Sequence, residues 1–201
     1  RSLIRIFSGQ ARLNRSLIDK SSQTVGGKIY SDSIPRYDPV NAMRAVSLTN
    51  DYIAQDNEMS MFATLFFGVL NPNDGKLVYI NGGHEAVFIV DQQGVRSRLL
   101  PTGPAVGVLP QTKFAYKQIQ LQVGDILFAY TDGVIDARSP NGERFAKKSL
   151  DSLLSEPVST TGELIQRIGT RLFAHIGKAP QEDDITMLTI QRKHPNDSNC
   201  H

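Results

Sequence analysis

The spacing of apolar and polar positions divides the chain into a helical opening, a strand-rich middle and a helical close. Leu3, Ile4, Phe7, Ala11, Leu17 and Ile18 recur at mostly helical spacing and predict a helix from Arg1 to about Ser21, with Gly9 as a weak point. No capping residue precedes this segment and the chain opens without Met, so the expectation is a piece cut from a longer protein. Residues 21–37, rich in Ser and Gly, read as a loop. Asp38-Pro39 then supplies an N-cap and a proline at the first helical position. Met43, Val46, Asn50 and Ile53 fall on one face of a helix running to about Gln55.

From residue 61 the period shortens to that of strands. Phe62–Leu70 and Lys76–Asn81 flank Asn71-Pro72-Asn73-Asp74-Gly75, and Ala86–Val90 and Val95–Leu100 flank Asp91-Gln92-Gln93-Gly94, which predicts two hairpins. Residues 101–110 contain three Pro and two Gly and read as a loop of fixed shape. Phe114–Leu121 alternates moderately, and Ile126–Thr131 is a short apolar strand expected to be buried on both faces. After a turn at Ser139-Pro140-Asn141-Gly142, a short helix is expected over Lys148–Leu154. Thr160 and Glu163 stand at capping-box spacing before a second helix reaching about Ala174. Ile185–Gln191 alternates as a last strand, and residues 193–201 form a polar tail. Two helices, six strands, two helices and one strand predict an α+β fold of mainly antiparallel sheets with helices on the outer faces.

Composition narrows the possible functions. The 201 residues have room for one ordinary domain, and 40% apolar and 21% charged residues match a globular chain. Twenty-two Lys and Arg against 20 Asp and Glu leave a charge of +2, too balanced to imply nucleic acid. The lone Cys200 excludes an internal disulfide and a multi-Cys metal site. No apolar run approaches the ~18 residues of a membrane span, so a soluble, cytoplasmic chain without direct membrane insertion is expected.

Chemistry concentrates at strand ends. Tyr130-Thr131-Asp132-Gly133-Val134 runs an apolar strand directly into Asp-Gly. An Asp there either bonds its own turn or offers a carboxylate to a hard cation. Glu182-Asp183-Asp184-Ile185-Thr186 is again acidic against a strand end, either a solvated turn or a cation site that relieves carboxylate repulsion. Neighbouring strands could bring Asp132 and Asp183 together, and carboxylates without His or Cys suit Mg²⁺ or Mn²⁺ rather than zinc. In Asn81-Gly82-Gly83-His84-Glu85, His84 is either structural or a proton donor or phosphate contact. The chain lacks a Gly-x-Ser-x-Gly elbow, and the Asp-x-Asp and strand–helix alternation of a haloacid-dehalogenase-like phosphotransferase are missing.

Met61-Phe62-Ala63-Thr64-Leu65-Phe66, Tyr79-Ile80-Asn81-Gly82-Gly83-His84, Gly103-Pro104 with Gly107, Gly124-Asp125, Tyr130-Thr131-Asp132-Gly133-Val134 and Asp183-Asp184-Ile185-Thr186 occur in a characteristic order. Together they resemble the PPM-type, metal-dependent serine/threonine protein phosphatases of the bacterial sporulation-protein-E-like branch. The resemblance covers about residues 1–192, with 193–201 as the tail. It implies an α-β-β-α sandwich of two mainly antiparallel sheets flanked by helices. It also implies two Mn²⁺ or Mg²⁺ ions and hydrolysis by a metal-activated water without a covalent phosphoenzyme. Residue by residue, Asp132 and Asp183 match metal-binding positions, Asp184 and Gly133 neighbour them, and His84 has no metal role in the family pattern. The implied partner is a phosphorylated regulatory protein of the anti-sigma-factor-antagonist type.

The family's Gly-Asp-x-x-Asp and Gly-Asp-Val motifs have no counterpart, because no Gly-Asp precedes residue 124. A partial domain with its N-terminal strands missing is therefore expected to bind metal weakly and to be nearly inactive. It is also expected to self-associate through an exposed sheet edge or element exchange. A phosphatase-like binding module that recognises a partner without turnover is the alternative.

Overall fold

The computed structural model describes residues 2–8, 39–55 and 61–193. In chain order the elements are β1 (Ser2–Ser8), α1 (Pro39–Gln55), β2 (Thr64–Leu70), β3 (Lys76–Gly82), β4 (Val87–Asp91) and β5 (Gly94–Leu99). They continue with β6 (Lys117–Gln120), β7 (Ile126–Tyr130), α2 (Gly133–Asp136), α3 (Ala146–Leu154), α4 (Thr161–Ile176) and β8 (Met187–Gln191). One sheet runs β1-β2-β3-β6 and the other β5-β4-β7-β8. Every pairing is antiparallel except β1 with β2, which is parallel from Ser2 opposite Thr64 to Ser8 opposite Leu70.

That parallel strand corrects the helix predicted from Arg1. A short apolar run such as Leu3-Ile4-Arg5-Ile6-Phe7 fits either period, and its Ile and Phe residues favour a pleated strand once β2 offers a partner. The rest of that predicted helix, the loop over 21–37 and nearly all of the polar tail lie outside the described residues. The other predicted elements form, within a few residues of their expected ends.

Alternation along the two central strands builds the layers. On β4, Val87 and Ile89 face one way and Phe88 and Val90 the other; on β7, Leu127 and Ala129 oppose Ile126, Phe128 and Tyr130. The first set of each strand meets Phe66, Leu77 and Tyr79 of the other sheet, forming the layer between the sheets. The second set packs under α3 and α4 through Leu150, Leu154, Leu164, Ile168 and Leu172. On the far side, Met43 and Val46 of α1 cover Val69, Val78 and Ile80. The architecture is an α-β-β-α sandwich, and covering both faces of β4 and β7 explains why these strands are apolar throughout. No helix among the described residues is long and apolar enough to cross a membrane.

The start of α4 is fixed as its sequence predicts. Thr160 Oγ1 accepts from the Glu163 amide at 3.1 Å, and the Glu163 carboxylate accepts from the Ser159 amide at 3.0 Å. The Ser159 amide, with help from Arg167, holds the Glu163 carboxyl below its ordinary pKa. Thr160→Ala should lower the unfolding free energy by about 1 kcal/mol in urea titrations. Because the folded pKa is lowered, Glu163 stabilises the fold above its ordinary value of 4.5 and loses that contribution as pH falls below it. Glu163→Gln should therefore differ from the wild type at neutral pH and converge with it in acid.

Candidate active site at the strand ends

The fully buried β7 ends at Tyr130 and delivers Thr131, Asp132 and Gly133 to the sheet edge. Burial, and then the nearby Glu85 carboxylate, push the Tyr130 hydroxyl well above its ordinary pKa, so it stays protonated. Asp132 takes helical backbone angles at the N-cap of α2 and makes no side-chain cap bond to it. The turn-capping role open to an Asp at this position is thus not the one it plays toward α2.

Thr131 ties this corner to the acidic segment before β8. Its amide donates to the Thr186 carbonyl at 3.1 Å, and its hydroxyl donates to the Asp184 carbonyl at 2.9 Å. The same hydroxyl accepts from the Thr186 amide at 3.0 Å. The contact is close enough to require glycine at 133, where an added Cβ would lie 2.4 Å from the Asp184 carbonyl oxygen. The segments carrying Asp132 and Asp183 therefore meet through Thr131 and Gly133 on one side and Asp184 and Thr186 on the other, although they are distant in sequence. The exposed Asp183 is held by its own turn, its Oδ1 accepting from the Asp184 amide at 2.7 Å. Asp184 contributes its carbonyl to the junction.

Gly133 and Asp183 line an open cleft of about 220 Å³, together with Asp136, Arg138, Arg144 and Glu182. Arg138 Nε donates to Glu182 at 3.2 Å and Arg144 Nη1 to Asp136 at 2.9 Å. Neither arginine stands out in the sequence on its own. The available signal was their symmetric placement about the Ser139–Gly142 turn. The role of Thr131 was also missed, although it lies inside the Thr-Asp-Gly motif.

His84 does not line this cleft. It belongs to a buried network centred on Asn81, whose Nδ2 donates to the Glu85 and Leu99 carbonyls and whose Oδ1 accepts from the His84 amide at 2.9 Å. Gly83 allows the tight turn, with φ of +68° and a Cβ position only 2.8 Å from the Ala105 amide nitrogen. His84 Nδ1 donates to the Glu85 carbonyl at 3.0 Å, and Nε2 is buried without a partner among the described residues.

As a cation site, the Asp132–Asp183 corner offers carboxylate oxygens only, the donor type hard divalent ions take. No group of three His, Cys, Asp or Glu residues able to hold a metal occurs among the described residues. Residues 34–193 match the family described as Stage II sporulation protein E (SpoIIE). The chain belongs to the SpoIIE family. Protein IcfG of Synechocystis is 41% identical to it over 198 residues, covering 96% of the chain and 30% of IcfG. Phosphoserine phosphatase RsbU of Bacillus subtilis is 26% identical over 170 residues, covering 83% of the chain and 49% of RsbU. The chain thus spans less than half of either relative. Among solved structures, the RsbU and RsbW domains of Rv1364c from Mycobacterium tuberculosis align with a TM-score of 0.59 and 25% identity, over 80% of this chain and 44% of that one. The sandwich described above is the SpoIIE-family fold.

Two substitutions test the junction. Thr131→Val keeps the shape but strands the Asp184 carbonyl and the Thr186 amide, and should cost about 2 kcal/mol in urea unfolding. Gly133→Ala should force the 183–184 backbone away and lower stability in the same titration.

Proposed function

We propose that this SpoIIE-family chain is the phosphatase unit of a protein that removes phosphate from phosphoserine or phosphothreonine on a regulatory protein of the anti-sigma-factor-antagonist type. The observation that carries this reading is the Thr131 junction, which joins the backbones bearing Asp132 and Asp183. The name of RsbU, a phosphoserine phosphatase, supports the same reading. Asp132 and Asp183 would hold Mn²⁺ or Mg²⁺, with Gly133 and Asp184 forming the wall beside them. When bound, such ions lower the pKa of water and stabilise charge on the phosphoryl oxygens.

The chain's own contribution is positioning. β7 anchors Asp132 to the core, the turn at 183–184 fixes Asp183, and Gly133 lets their backbones approach. His84 stays outside this scheme and braces the Asn81 loop. The match of Asp132 and Asp183 alone to the metal-binding positions of the family pattern, with no Gly-Asp before residue 124, is the basis for weak metal binding and slow turnover by this chain. It also favours a second reading, a module that recognises the partner without hydrolysing it.

Phosphate release from a phosphoserine-bearing regulatory protein separates the two readings. With Mn²⁺, the longer protein should turn over and the 201-residue chain should stay near background. Asp132→Ala or Asp183→Ala in the longer protein should cut the rate more than about 100-fold, beyond the 10–100-fold typical of losing a metal's outer-shell partner. Partner binding by the longer protein without phosphate release would establish the module instead.

A further inference from the structure

The turn at Ser139–Gly142 folds the chain back so that Arg138 and Arg144 face each other across an isolated antiparallel bridge. The bridge is closed by bonds from the Ser139 amide to the Glu143 carbonyl and from the Phe145 amide to the Ala137 carbonyl, both 2.8 Å. Like charges directly opposite each other on paired strands are unfavourable. Two guanidinium groups are nevertheless gathered on the wall of the cleft that also contains Gly133 and Asp183. Each is held by one acidic side chain at the rim, Glu182 for Arg138 and Asp136 for Arg144. These four side chains are 38% to 64% exposed, so both ion pairs are weak and exchangeable.

Donors are left over. Arg138 uses Nε for Glu182 and Nη1 for the Gly142 carbonyl, and Arg144 uses Nη1 for Asp136. No described residue accepts from the remaining N–H groups of either fork. A guanidinium fork matches a phosphate in geometry as well as in charge. The open cleft of about 220 Å³ has room for a phosphoryl group and the side chain that carries it.

We propose that Arg138 and Arg144 form a phosphoryl-docking pair that receives a phosphoserine or phosphothreonine of a partner protein. The incoming phosphate, carrying about two negative charges, displaces Glu182 and Asp136 from the arginines. The two carboxylates act as exchangeable placeholders that quiet the like-charge pair until substrate arrives. This inference rests on the phosphatase reading and extends it to how the substrate is held.

The test is fluorescence anisotropy with a dye-labelled peptide bearing one phosphoserine between neutral residues, against its serine counterpart, in Mg²⁺ buffer. The wild type should prefer the phosphopeptide. Arg138→Gln and Arg144→Gln should each weaken that binding about tenfold while leaving the serine peptide unchanged. Arg138→Lys should recover part of the loss. Glu182→Gln should strengthen phosphopeptide binding, a gain that a damaged fold cannot produce. Unchanged affinity in the arginine variants, no gain with Glu182→Gln, or no phosphopeptide preference in the wild type would each overturn the docking pair. None of these results bears on hydrolysis, which phosphate release by the Asp132 and Asp183 variants decides separately.

Discussion

One threonine hydroxyl organises the functional end of this molecule. Thr131 Oγ1 gives its hydrogen to the Asp184 carbonyl and takes one from the Thr186 amide, so a single side chain closes both backbone groups of the acidic segment. Thr131 is itself buried while Asp184 and Thr186 are exposed, so the hydroxyl meets the acidic segment at the boundary of the core, and removing it would leave part-buried backbone groups without their partner. The position of Asp183, the need for glycine at 133 and the shape of the neighbouring cleft all follow from that closure. The β7–β8 ladder sets the approach of the two strands, but the hydroxyl fixes their ends.

The corner is rigid on one side and open on the other. Behind it, Phe128 and Tyr130 stack at 5.6 Å within the layer under α3 and α4, which ties Asp132 to the buried core. In front, Asp183 is exposed, and Arg138 pairs with Glu182 and Arg144 with Asp136 in ion pairs that solvent weakens. The proposed docking of a charged guest would use this division, with fixed backbone on one side and replaceable contacts on the other.

Much of this was legible in the sequence, and the reasons are physical. The hairpins announced themselves through Asn-Pro-Asn-Asp-Gly and Asp-Gln-Gln-Gly turns, and α1 and α4 through Pro39 and the Thr160–Glu163 box, because these signals act within a few residues. Ser2–Ser8 misled because its periodicity is ambiguous and its strand state depends on pairing with β2, some sixty positions away. The two acidic strand ends were visible as motifs, whereas their junction was not, since Thr131 bonds residues more than fifty positions ahead. For His84 the sequence left a structural and a chemical role both open; its bonds to Asn81 and Glu85 and its place outside the cleft wall are long-range features that no local motif carries.

The parallel pairing of β1 with β2 has a mechanical corollary. Antiparallel neighbours can be joined by a short hairpin, but parallel ones require the intervening chain to travel back across the sheet, and α1 lies on that return path over Val69, Val78 and Ile80. Tension on β1 would load its rungs with β2 in shear, all at once, whereas force applied to α1 would peel a helix away from an apolar face. The edge strand is thus a firm handle and the helix a soft one, so a stretching experiment should find a different yield force at each point of attachment.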